Sequence, residues 1–282
     1  EEIMEAGGWE VDARESDDPH FKVNVMFQAH FSHLPLPISD YVLDTKSALD
    51  QSVRILQAMI DVAAEEGWLT PVLNCTMLLQ MLSQGMWNTD SPILCLPHVN
   101  ETVAEKLAAS KNDHLPKLVT LAQSDFSQAL HTIKRSGGLA HKKAAAVAKV
   151  LSSLPQVTMD VSIQDRVLRK NSPAEISKLG VTVAVARSKF KRNANAFCPR
   201  FPKVKQEGWY VIAGRKDANE LLALKRLTFQ KKANLSVKLD IPLSEGETSS
   251  HNIKPFEVYL ISDCYLGLDK KKQNLGGQSQ EK

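Results

Sequence analysis

Hydrophobic residues change their spacing once along this chain, near Val157. Before that point they recur every three or four positions, as on one face of an α-helix. After it they alternate with polar residues, as in β-strands with one buried face. The sequence therefore predicts an α+β fold with several domains, in which a helical bundle and a helix-loop-helix linker precede a β-sandwich.

The clearest helical pattern covers residues 45–67. Its apolar positions recur at alternating steps of four and three: Leu49, Val53, Leu56, Ile60 and Ala63. This pattern predicts a long amphipathic helix that Thr45 or Ser47 caps and that ends at Gly67, because glycine readily adopts the left-handed conformation found after helices. A second apolar helix follows Pro71, and the short gap between the two helices predicts an antiparallel hairpin within one core.

Prolines, glycines and polar turns set the other boundaries. We expect a short buried helix from Phe21 that ends before Pro35, and three further helices at residues 101–110, 115–134 with a break near Ser124, and 139–154. Six segments are strand-like: residues 157–163, 181–190, 208–215, 220–229, 234–241 and 256–263. The predicted regions are an acidic leader (1–18), a helical bundle (19–100), a helical linker domain (101–155), a β-sandwich (156–269) and a disordered tail (270–282).

The composition is that of a folded soluble protein, with 43% hydrophobic and 24% charged residues. A net charge of +3 is too small to indicate nucleic-acid binding by itself. The four cysteines form no C-x-x-C pair, which argues against a zinc site or a disulfide framework and favours a reducing compartment. No run approaches the roughly 18 to 20 apolar residues of a membrane span. We expect a nuclear or cytosolic protein without a metal, a cofactor or a membrane partner.

Known catalytic motifs are absent from the sequence. It contains no G-x-x-x-x-G-K-[ST] phosphate loop, no DExH-type acidic box, no G-x-S-x-G elbow and no H-E-x-x-H zinc motif. These absences predict that the chain does not hydrolyse ATP and is not an enzyme on its own.

Several strings, in this order, resemble the Sec-sixty-three homology unit of the large DExH-box helicases. They are DPHFKVNVMFQAHFS, LDQSVRILQAMIDVAAEEGW, MW followed by LPH, EGWYVIAG, LLALKRLTF and VYLISDCYLGLD. The resemblance covers residues 17–269, and the C-terminal unit of activating signal cointegrator complex helicases is more similar than the spliceosomal snRNP helicase. It implies a fibronectin-III or immunoglobulin-like sandwich and a bundle of which residues 19–100 are the later half. It also implies an accessory or docking role beside the helicase core and other complex subunits.

In this family a long "ratchet" helix faces the single strand, and residues 45–67 match that helix. Opposite its apolar stripe lie five polar residues, Asp50, Arg54, Gln57, Asp61 and Glu65. Arg54 could contact phosphate or stack on a base, and Gln57 could bond a base edge, so we predict contact with single-stranded nucleic acid there. The alternative is a solvated face with an ion pair between Arg54 and Asp50 or Asp61.

Two other segments are weaker candidates for phosphate contact. The first is a basic segment around a glycine turn, in which backbone amides and the start of the following helix could hold a phosphate, although a plain surface turn is the commoner structure. It consists of Lys134, Arg135, Gly137, Gly138, His141, Lys142 and Lys143. Residues 189–206 interleave lysine and arginine with phenylalanine, a composition suited to nucleic acid or a protein partner. We favour a strand-connecting loop whose aromatic side chains cover the edge of the sandwich.

Two closely spaced histidines are interpreted as packing or surface residues, and the large aromatic residues as core anchors. His30 and His33 have a spacing found in metal sites, but no nearby side chain completes a ligand set. Four aromatic residues are expected to anchor the core: Trp68, Trp87, Trp209 and Tyr210.

Two alternative functions stay open at this point. A protein-translocation component of the endoplasmic reticulum would share the homology unit, but it would also carry membrane spans and the H-P-D tripeptide of a J-domain, which this sequence lacks. An uncharacterised hydrolase would need a catalytic constellation that residue spacing alone does not reveal.

Overall fold

A computed structural model describes residues 18–168, 178–190, 195–243 and 253–275, together with Ile3, Gly7, Arg192 and Glu247. Its helices are α1 (Pro19–Phe31), α2 (Ser39–Glu65), α3 (Leu69–Gln84), a 3₁₀ helix (Pro92–Cys95), α4 (Glu101–Ala109), α5 (Leu115–Ser124), α6 (Phe126–Gly137) and α7 (His141–Ser153). The predicted short helices and the break near Ser124 are confirmed to within a few residues. Most of the acidic leader lies outside the described residues.

The strands are β1 (Gln156–Leu168), β2 (Lys178–Ser188), β3 (Trp209–Arg215), β4 (Glu220–Leu227), β5 (Asn234–Pro242), β6 (Phe256–Ser262) and β7 (Lys270–Leu275). They form two antiparallel sheets, one with the order β1-β2-β5 and one with the order β4-β3-β6-β7. The α+β class and the six predicted strands are confirmed.

The facing sides of the two sheets share one hydrophobic cluster. Val183 on β2, Val211 on β3 and Leu239 on β5 are fully buried in it. Helices α4 to α7 add their apolar faces to the same cluster, through residues such as Ile133 and Leu151. The linker helices therefore extend the core of the sheets.

The four-stranded sheet is covered on both sides. Its central strand β3 is buried along its whole length. Tyr210 and Ile212, whose side chains alternate with those facing the other sheet, join Leu56 and Ile60 of α2 in a second cluster. The hairpin of α2 and α3 thus forms a third layer on the outer face of this sheet.

One contact in this layer requires a glycine. A Cβ atom at Gly214 would lie 2.8 Å from both methyl carbons of Leu69 and 2.7 Å from the backbone oxygen of Glu220. Only a residue without a side chain lets the first turn of α3 approach β3 this closely.

Three sequence predictions are corrected by these observations. The long helix begins at Ser39 instead of Thr45 or Ser47, and Thr45 is buried inside it. Residues 270–275 belong to β7, because their backbone pairs with β6 although their side chains are polar, and the rest of the predicted tail lies outside the described residues. Trp68 is 48% exposed and is no core anchor, because it occupies the turn between α2 and α3.

The turn before α3 is capped by a residue from the sheet. The Asn219 side-chain oxygen accepts a hydrogen bond from the Thr70 amide at 2.7 Å, and its backbone oxygen accepts one from the Leu69 amide at 3.2 Å. Asn219 has a positive φ of 51°, a conformation that asparagine tolerates better than most residues. Through its side chain and its backbone, this one residue joins the β3–β4 turn to the helical hairpin.

Substitutions at Asn219 should separate the contribution of its side-chain hydrogen bond from that of its backbone conformation. We expect Asn219→Gly, which keeps the backbone conformation and loses the side-chain hydrogen bond to Thr70, to cost about 1 kcal/mol of unfolding free energy. Asn219→Ala also strains the backbone and should cost about 2 kcal/mol. Urea unfolding followed by circular dichroism measures both values. Equal losses in the two variants would contradict the backbone contribution.

Candidate nucleic-acid interface

The polar residues predicted on the long helix lie on the solvent side of α2. Arg54, Asp61 and Glu65 are exposed, and Asp50 and Gln57 are half-buried. Asp50 binds Lys203 at 2.7 Å, so the ion pairs predicted between Arg54 and either aspartate do not form. Lys203 also lowers the pKa of the Asp50 carboxyl from its ordinary value.

Asp61 is paired with the sheet below the helix. Arg226 on β4 donates to its carboxylate at 2.6 Å and to the backbone oxygen of Gln57 at 3.2 Å, and its guanidinium lies 5.4 Å from the centre of the Tyr210 ring. The Arg54 side chain forms no ion pair or hydrogen bond within the described part of the chain, although its charge adds to that of Lys203 in lowering the pKa of Asp50. Because Asp50 and Asp61 bind Lys203 and Arg226 directly, the exposed guanidinium of Arg54 is accessible to a ligand.

A second feature of α2 was missed by the sequence analysis. Ile55, Met59 and Val62 are 58%, 50% and 58% exposed. They recur at steps of four and three, as the buried stripe does, so the helix has two apolar faces. Leu56 is 4% exposed, and Val53 packs against the second cluster, so neither lacks a partner.

Lys142 and Lys143 do not join this surface. Both are exposed in the first turn of α7, which begins after Ala140 without a side-chain cap. The apolar face of α7 belongs to the first hydrophobic cluster, whereas α2 belongs to the second. The four predicted contact residues thus lie on two different parts of the molecule.

Comparison with known proteins identifies the family to which these elements belong. The Sec63 Brl domain model matches residues 1–274. The chain belongs to this family. Within the described residues of this Sec63 Brl domain, no helix is long and apolar enough to cross a membrane.

Similar proteins are much longer than this Sec63 Brl domain. The DExH-box ATP-dependent RNA helicase DExH14 of Arabidopsis thaliana is 37% identical over 93% of this chain and 11% of its own length. The activating signal cointegrator 1 complex subunit 3 of Mus musculus is 33% identical over 93% and 13%. The U5 small nuclear ribonucleoprotein 200 kDa helicase of Drosophila melanogaster is 32% identical over 90% and 11%.

The loop between β2 and β3 contacts both the hydrophobic clusters and α2 of this Sec63 Brl domain. Phe190 and Phe197 pack against the first hydrophobic cluster, and Phe201 packs against the second. Lys203 extends to Asp50 on α2. The interpretation of this segment as a connecting loop with packed aromatic residues is confirmed.

The two histidines close the end of α3. His30 Nε2 donates to the Leu82 oxygen at 3.0 Å, and His33 Nε2 donates to the Gly85 oxygen at 2.6 Å. Burial lowers the pKa of both imidazoles, which favours their neutral forms. Both histidines therefore have a structural role, as hydrogen-bond donors to the C-terminal end of α3. Among the described residues, no group of three or more histidine, cysteine or acidic side chains is arranged to hold a metal ion.

Proposed function

We propose that this chain is a non-catalytic accessory and docking unit of an ATP-dependent nucleic-acid helicase, located in the nucleus, the cytosol or both. Membership of the Sec63 Brl domain family supports the proposal, as does the similarity to two proteins that are named helicases and to a subunit of the activating signal cointegrator 1 complex. The chain spans only 11% to 13% of these relatives. A helicase activity would therefore reside in other parts of such a protein, and the helicase core would be the principal partner.

The observation that carries this proposal is the solvent face of α2. The Arg54 guanidinium is exposed and forms no direct ion pair or side-chain hydrogen bond in the described structure, and the Gln57 side chain lies one turn away. The exposed apolar stripe beside them offers a surface for unstacked bases. Such a combination suits a surface that holds a moving single strand without reading its sequence.

We further propose that the two sheets form a fibronectin-III-like sandwich. Support comes from seven antiparallel strands in the described residues, divided three and four between two sheets that share a core. In such a unit the sheets would serve as the rigid support for α2.

Strand contact is tested with the double variant Arg54→Ala/Gln57→Ala. We expect it to bind a fluorescent single-stranded oligonucleotide, RNA or DNA, about tenfold more weakly, because one charge-assisted phosphate contact and one base contact are lost. Fluorescence anisotropy at several salt concentrations measures the affinity and its salt dependence. The salt slope should fall by about 0.7, the value for one phosphate contact to a single strand.

A matched control is Lys117→Ala/Gln128→Ala, which removes one exposed positive charge from α5 and one exposed amide from α6. This control should bind like the unchanged chain. The variant Lys142→Ala/Lys143→Ala tests the weaker candidate in the same assay. If Arg54→Ala/Gln57→Ala and the control bind equally well, α2 does not hold the strand.

A further inference from the structure

Strand β4 is the end strand of the four-stranded sheet and pairs with β3 alone among the named strands. The first residues of its outer edge are occupied. The Leu221 amide donates to the Gly67 oxygen at 2.7 Å, and Trp68 forms an isolated bridge with Glu220. Beyond Leu221, no backbone hydrogen bond joins the outer edge of β4 to any other part of the described chain. Gly67 and Trp68 therefore pair with the start of the outer edge of β4, and the edge is open directly after them.

A groove of about 370 Å³ runs along this open edge. One wall consists of four consecutive residues of β4, 221–224, and the other consists of Asp61, Ala64 and Glu65 of α2. A β-bulge interrupts the simple alternation of side chains here, at the register shift opposite Ala213 and Gly214. Residues 221 and 224 pack against the second hydrophobic cluster, and residues 222 and 223 belong to the first. A groove lined by all four therefore follows the backbone edge and not one face.

The two walls of the groove differ in chemistry. The strand wall is apolar, with Leu221 and Leu224 only half-buried. The helix wall is acidic: Asp61 is paired with Arg226, whereas Glu65 is exposed and has no ion pair or hydrogen bond within the described residues. An occupant should therefore combine apolar side chains with a positive charge.

We propose that this groove binds an extended peptide segment of a partner protein, which adds to the edge of β4 as a further strand. Its backbone would bond the open edge after Leu221, its apolar side chains would pack on Leu221 and Leu224, and a lysine or arginine would pair with Glu65. Backbone pairing supplies affinity and the side-chain pockets supply selectivity in this mode of recognition. The groove begins one turn beyond Gln57 on the same side of α2, but neither Arg54 nor Gln57 lines it, and the inference does not depend on strand contact there.

The charges favour a peptide over a nucleic acid. Glu65, whose side chain has no ion pair within the described residues, lines the groove beside Asp61, whose charge Arg226 offsets. The Glu65 carboxylate would repel phosphate groups, which dominate nucleic-acid affinity. The Leu222 to Lys225 stretch offers backbone donors and acceptors, which match a peptide backbone.

The experiment uses the full chain and a pooled library of five-residue peptides with β-branched residues at the centre and lysine or arginine at one end. Bound peptides are identified by mass spectrometry, and the best one is titrated into ¹⁵N-labelled protein. We expect amide shifts at residues 222–225 and slower hydrogen exchange there. A copy of the same peptide with alternate backbone nitrogens methylated on the bonding edge should not bind, because it lacks the donors for β4.

Two charge reversals test the groove without touching the core. Glu65→Lys should weaken the basic peptide about fivefold or more, because it replaces an attraction by a repulsion. Glu66→Lys makes the same change of charge at the neighbouring residue, which does not line the groove, and should leave the affinity unchanged.

Three outcomes would overturn the proposal. One is a library from which no peptide shifts the amides of residues 222–225 at millimolar concentration. Another is binding that is equally strong after backbone methylation. The third is a single-stranded oligonucleotide that shifts these amides when no peptide does. Loss of nucleic-acid binding in the Arg54 and Gln57 variant concerns two residues that do not line the groove, and it leaves this result unaffected.

Discussion

Replacement of Glu207 by alanine should lower the free energy of unfolding by about 3 to 5 kcal/mol. The Glu207 carboxylate accepts two hydrogen bonds from the Arg187 guanidinium, each at 3.0 Å, and a third from Trp209 Nε1 at 3.0 Å. Both charged side chains are only 5% exposed. Removal of the carboxylate leaves a buried guanidinium without its counter-charge and an indole N–H without an acceptor. Both losses act in the folded state alone, since water solvates these groups after unfolding.

Two control variants show whether the cost arises from the buried, uncompensated charge or from the loss of an ion pair as such. Arg187→Met/Glu207→Leu removes both charges and should cost less than Glu207→Ala, since no uncompensated charge remains. Asp61→Ala breaks the exposed pair with Arg226 and should cost less than about 1 kcal/mol. Urea unfolding at neutral pH gives all three values. If Glu207→Ala costs no more than Asp61→Ala, the buried pair does not stabilise this fold.

Most of the fold could be predicted because its signals are local. The apolar spacing of α2 and the alternation of β2 depend on residues near one another in sequence, so the element types were correct. The start of α2 and the strand β7 depend on other information. Residues 39–44 continue the helix without an apolar stripe of their own that marks its start, and Lys270 to Leu275 become a strand through pairing with β6.

The candidate surfaces likewise divide into features that local spacing predicts and features that depend on the tertiary fold. Arg54 and Gln57 could be placed on the solvent side of α2 from spacing alone, because helix geometry fixes which residues share a face. The second apolar stripe had the same spacing signal, but which stripe is buried depends on the sheet beneath the helix. The groove along β4 could not be found from sequence, since its walls are separated by more than 150 residues and the open edge is a property of strand order.

Replacement of Ile60 by alanine should cost about 3 kcal/mol of unfolding free energy. Ile60 is 0% exposed on the face of α2 that packs against the sheet, in the same cluster as Tyr210 and Ile212. Alanine would leave a cavity between the helix and the sheet. Met59, the next residue, is 50% exposed, so Met59→Ala should change the stability by no more than about 0.5 kcal/mol.

The shape of the Ile60→Ala unfolding curve carries further information. Strand β3 contributes alternate residues to both hydrophobic clusters, Val211 to the first and Ile212 to the second. Loss of the α2 layer would therefore expose one face of a strand that the other sheet needs. We expect fluorescence and circular dichroism to report one coincident transition, shifted to lower urea. Two separate transitions would show that the helical hairpin unfolds independently, and the sheets would then not be the support that holds α2 in place.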